Sequence, residues 1–175
     1  MYRALHKTAE TIAITLALAG GAILVGLTIL TCMSIVGRAL LPLGIGPGPV
    51  RGIFDMTEIG IAAAVFAFLP WAQFNDAHAR VDLFKPAYPE ALNRMLELLF
   101  NLAMTVVAAI GTWRLYLGMQ DKLAFGETTF IAQIPLWQGY AAGLVGAVGF
   151  VLVSAFCVIR SARRLAGHED SVLDG

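Results

Sequence analysis

The sequence predicts an all-α integral membrane protein with four transmembrane helices. Hydrophobic residues make up 58% of the 175 positions and charged residues only 14%, whereas a water-exposed surface carries roughly 25–35% charge. The apolar residues gather into four runs, at about 11–36, 57–74, 95–117 and 135–159. Each is near the ~20 residues that a bilayer core demands of a helix. The segments between them are rich in proline, glycine or charge, which stop helices. One four-helix domain over 1–175 follows, with a polar tail from 165 onward. The formal net charge is zero, so there is no electrostatic footprint for nucleic acid.

The second run sets the frame for the others. Asp55 and Glu58 precede it, Ile59 to Ala72 is apolar, and Gln73, Asn75 and Asp76 end it before a charged segment with His78, Arg80 and Asp82. Pro70 falls in its last turns, where a kink and a carbonyl in need of a neighbour are expected. Trp71 and Phe74 lie where an interfacial aromatic belt belongs.

Arg3, His6 and Lys7 open the chain, and Leu5, Ala9 and Ile12 can share a helical face. A short amphipathic lead-in at the membrane surface fits this pattern, and so does a polar terminus. The first run is longer than the ~7–15 residues of a signal peptide's apolar core, so it reads as a retained helix. Gly20, Gly21 and Gly26 within it allow close helix approach in lipid. Arg38 closes it, and LLPLGIGPGPVRG makes a turn. In the connection at 75–94, Val81, Leu83, Phe84 and Tyr88 alternate with Arg80, Asp82 and Lys85, a pattern suited to resting on headgroups.

The third run holds Glu97 and Asn101 near its start and Trp113, Arg114 and Tyr116 near its end. Arg114 is placed to snorkel. The fourth opens with Pro135 in a first-turn position, with Trp137 and Tyr140 as interfacial anchors. Gly139, Gly143 and Ala147 recur every four residues and form a small-residue seam for close helix packing. Arg160, Arg163 and Arg164 end it.

Four spans put both termini on one side. That side holds Arg3, Lys7, Arg80, Lys85, Arg94, Arg160, Arg163 and Arg164, against Arg38, Arg51 and Lys122 opposite, with Arg114 near them. The excess places both termini in the cytoplasm.

Little chemistry is visible. His6, His78 and His168 lie outside the runs, which argues against a haem held between helices. Cys32 and Cys157 stand singly among apolar residues and read as packing residues, without a disulfide or metal. No catalytic, cofactor or metal site is expected. Arg38, Glu58, Glu97 and Arg114 all fall near span ends; Arg38, Glu58 and Arg114 share one level, and Glu58 either pairs with Arg38 or Arg114 or stands alone. No buried polar machinery is expected.

The sequence resembles the small membrane subunit of tripartite ATP-independent periplasmic transporters, the DctQ-type family. The likeness covers about residues 9–164. It rests on Glu58 opening the second span, on the following His78-Ala-Arg80-Val-Asp82-Leu83 segment, on Ile134-Pro135-Leu136-Trp137 before the fourth span, and on the order of the spans. Phe68-Leu-Pro70-Trp71 departs from the family's commoner Gly/Ala-rich version, leaving the subfamily and substrate open. The resemblance implies a large multi-helix permease subunit as partner and a periplasmic solute-binding protein as a transient one. It also implies ion-gradient-driven uptake of an organic acid across a bacterial inner membrane, with this chain as a static, lipid-embedded support for an elevator-type subunit. A small membrane-anchored redox or enzyme subunit, or a structural protein self-associating through the Gly139–Ala147 seam, are the alternatives.

Overall fold

The computed structural model of the chain describes residues 2–44, 48–77 and 89–166. It contains α1 (Tyr2–Leu40), a short 3-10 turn (Leu41–Leu43), α2 (Ile53–Phe74), α3 (Glu90–Phe125) and α4 (Leu136–Leu165). All four α-helices are long and apolar enough to cross a membrane. At about 1.5 Å per residue, the 22 residues of α2 match a bilayer core of ~30 Å. The 39 residues of α1 and 36 of α3 reach well beyond it.

The separate lead-in is the first correction. Residues 2–10 continue α1 without a break. No glycine or proline interrupts them, and the Thr8 and Thr11 hydroxyls donate to the carbonyls of Ala4 and Lys7 one turn back. Of the face expected from the sequence, Ala9 and Ile12 pack against the core and Leu5 does not. Leu5 is exposed, whereas Ala9 and Ala13 are buried with Phe74, Val153, Phe156 and Cys157, and Tyr2 packs against that cluster. The Tyr2 ring stacks on Phe156 at 5.9 Å, and His6 meets Phe74 and Phe156 edge-on. Aromatic rings of α2 and α4 thus give this turn a protein surface to lie on.

α4 is the hub. It packs on α1, α2 and α3, and α1 also packs on α2. Half of its most apolar stretch is buried, against 11% for α1 and α3. Its glycines permit this. A Cβ on Gly139 would meet Ile59, one on Gly143 would meet Phe66 and Leu115, and one on Gly149 would meet Leu16. Gly146 is the tightest backbone crossing: a Cβ there would sit 2.5 Å from the Phe66 carbonyl carbon and 2.6 Å from its oxygen. Position 70, which should donate to that oxygen, is a proline without an N–H. The carbonyl freed by Pro70 is therefore covered by the α4 backbone, which can approach only because Gly146 has no side chain.

Tyr2, Phe74 and Phe156 meet at the end of the bundle that carries both termini. The opposite end carries the α1–α2 and α3–α4 connections. There Asp55, in the first turn of α2, accepts the N–H groups of Ile131 and Ala132 at 3.0 and 2.8 Å. Gly52 caps α2 in a left-handed conformation (φ 73°), and a Cβ on it would strike Ala132 at 2.5 Å. Thr128 bridges Pro135, and the Thr129 N–H donates to Ile134 at 2.9 Å. Pro135 is the extended N-cap of α4 (φ −61°, ψ 122°), one position before the first turn. Removing the acceptor in Asp55→Ala should speed hydrogen exchange at the Ile131 and Ala132 amides, while amides in the middle of α4 keep their protection.

Candidate assembly surface

Polar side chains gather at the end with the termini. Asn101 of α3, 1% exposed, is the centre. It accepts from Gln73 Nε2 of α2 at 2.9 Å and donates to Ser161 Oγ of α4 at 2.7 Å. Ser161 lies 3.5 Å from Glu97 Oε1, which also receives Arg164 at 3.1 Å. Beside them Arg160, 8% exposed, donates to the Phe74 carbonyl and to Asp76 Oδ2, both at 3.1 Å, with its guanidinium 5.7 Å from the Phe74 ring centre. Arg163 lies over the Tyr2 ring at 3.9 Å. These bonds tie three helices together where α2 ends, after Pro70 has already cost it one backbone bond. The expectation of spans without buried polar groups is thereby corrected. Gln73, Asn101 and Ser161 each stand alone within their own helix, and only packing reveals them as a set.

The residues singled out from the sequence fall into three groups. Gly139 and Gly143 face α2, Gly143 also touches α3, and Ala147 is buried beside Thr112, whose hydroxyl reaches its carbonyl at 3.3 Å. The seam is consumed inside the chain and is not free for self-association. Pro135 and half-buried Trp137 sit at the start of α4 behind the Asp55-clamped loop. Among the described residues, no ion pair joins Glu58 to Arg38 or Arg114, and all three side chains are exposed. His78, Arg80 and Asp82 lie outside the described residues. Cys32 is exposed on α1 and Cys157 is buried on α4, both as free thiols. The described residues contain no group of His, Cys, Asp or Glu able to hold a metal ion.

Nor do Arg114 and Glu58 share a level. Leu115 lies against Gly143, Thr112 reaches Ala147, and Phe66 packs beside Gly143 and Gly146. Gly118, one turn on from Arg114, meets Tyr140, and the neighbouring Gly139 meets Ile59, so Arg114 lies about one turn deeper than Glu58. The outward faces of α1 and α3 are mostly apolar along their spanning stretches, with Leu18, Val25, Ile29 and Met33 exposed on α1 and Val107, Ile110 and Trp113 on α3. A soluble protein could not leave so much apolar surface open to water; lipid or another membrane protein must cover it.

Residues 27–166 match the family described as "Tripartite ATP-independent periplasmic transporters, DctQ component". The chain belongs to the DctQ family. The match spans all of α2, α3 and α4 and all but the first 25 residues of α1. No curated protein and no solved structure matches it. Membership makes the chain the small membrane component of a solute transporter and a multi-pass membrane protein, not an enzyme. The DctQ assignment agrees with the architecture: polar groups spent on holding helices together, and apolar faces turned outward.

Proposed function

We propose that this DctQ subunit is a static scaffold in the bacterial inner membrane. It supports a large elevator-type permease subunit during ion-gradient-driven uptake of an organic acid delivered by a periplasmic binding protein. The observation that carries the reading is the division of labour between its surfaces. Gln73, Asn101, Ser161, Glu97, Arg160 and Arg164 are bonded to one another or to backbone and are spent on internal cohesion. What remains outward along the spans is mostly apolar helix suited to lipid and to a membrane partner.

Both termini face the cytoplasm in this reading. Its support is charge: Arg3, Lys7, Arg94, Arg160, Arg163 and Arg164 all belong to the end with the termini, against Arg38, Arg51 and Lys122 opposite. A reporter active only outside the cytoplasm should stay silent when fused after Arg164; strong activity would reverse the orientation. The functional reading is tested by affinity purification of the tagged chain from native membranes. The large subunit should come with it in roughly equal amount, and vesicles holding the chain alone should accumulate no solute. Uptake by the isolated chain would refute the scaffold role.

A further inference from the structure

We infer that the α3 face around Arg114 is where the large permease subunit docks, through a carboxylate on one of that subunit's transmembrane helices. The inference rests on the scaffold reading and goes beyond it by naming the surface and the chemistry of the contact. Arg114 lies within the apolar stretch of α3, with no charged residue between Glu97 and it or between it and Asp121. Gln120, the first polar residue beyond Tyr116, is six positions on, about 9 Å along the axis. The Arg114 side chain is exposed, and among the described residues its guanidinium donates no hydrogen bond and joins no ion pair.

Two features argue against lipid as the final neighbour. α3 runs from the end with the termini toward the opposite end, and side chains on a helix lean toward its N-terminus. The Arg114 side chain thus sets out toward the middle of the bilayer, away from Gln120 and the nearer interface, which works against snorkelling. Charges so placed in spans pair with protein groups far more often than they face lipid. The second feature is the surroundings. α3 packs chiefly on α4, leaving most of its circumference uncovered. On that open side Trp113 is 61% exposed, with Val107 and Ile110 below it. An arginine beside an exposed tryptophan on an apolar face is the composition of an interface anchor. A planar guanidinium takes a carboxylate through two parallel hydrogen bonds, which gain strength once lipid and water are excluded.

The test uses the complete two-subunit membrane complex. A photoreactive benzophenone amino acid is placed at Ile110 or Leu117 of α3, and at Val25 or Ile29 of α1 for comparison. Irradiation should couple the large subunit to the α3 positions and not to the α1 positions. At equal membrane levels, Arg114→Leu should lower recovery of the large subunit about tenfold or more, while Arg114→Lys keeps most of it. Capture of the large subunit from α1 alone would overturn the docking face and leave the scaffold reading intact. Lipid adducts only, or a second copy of this chain at Ile110 and Leu117, would overturn it as well. Absence of the large subunit from both the adducts and the purified material would instead defeat the scaffold reading itself.

Discussion

Gly146→Leu should prevent recovery of a folded chain from membranes, and Gly146→Ala should lower its melting temperature in detergent clearly. A Cβ at 146 falls 2.5–2.8 Å from three backbone atoms of Phe66 and Ala67. Backbone cannot swing aside as a flexible side chain does, so α4 must move away from α2. Overpacking of this kind costs about 1–3 kcal/mol for one methyl. Here the displacement also uncovers the Phe66 carbonyl that Pro70 leaves without its helix partner. Gly111→Ala is the matched control, because a Cβ there meets nothing within 4 Å. It should melt within a degree or two of the unaltered chain (roughly; small surface changes stay within about 0.5 kcal/mol). Equal melting of the two alanine variants would show that the α2–α4 crossing is looser than described.

The second large effect is expected at Asn101. Asn101→Leu removes the acceptor for Gln73 and the donor to Ser161 together, both buried. Gln73 Oε1 already lacks a partner among the described residues, so the amide has no second anchor to turn to. Orphaning buried polar groups costs about 1–3 kcal/mol, more than the ~0.6 kcal/mol average for a hydrogen bond between membrane helices. The decisive comparison is the combined variant Gln73→Leu, Asn101→Leu and Ser161→Ala. With every partner made apolar, stability should return most of the way. A triple variant less stable than Asn101→Leu alone would mean that packing at this end matters more than the hydrogen bonds.

The four helices were legible because run length against bilayer thickness is a coarse and forgiving signal. The Gly139–Gly143–Ala147 seam was legible too, since small residues every four positions leave a readable stripe. Its partner was not: nothing in the sequence says whether such a stripe meets α2 or another chain. Gly146 and Gly149 fall outside that spacing and leave no such stripe, although Gly146 makes the closest backbone approach of α2 and α4. The Gln73–Asn101–Ser161 bonds join positions 28 and 60 residues apart, so their meaning lies in the packing of three helices. In the sequence Arg114 falls near the end of the third apolar run. Its depth emerges only when Leu115 is seen against Gly143. The amphipathic pattern of residues 2–12 is real, but α4 and α2 supply the apolar surface that it was expected to find in lipid.

The place of α4 at the hub has a consequence for biosynthesis. It leaves the ribosome after α1, α2 and α3, yet α3 packs chiefly on it and the Tyr2 ring meets both Phe156 and Arg163. During insertion α1 and α2 can pair early, whereas α3 must wait in the lipid for its main neighbour. The first turn of α1 is seated only once α4 has been made, so assembly of these four helices closes like a clasp rather than growing helix by helix.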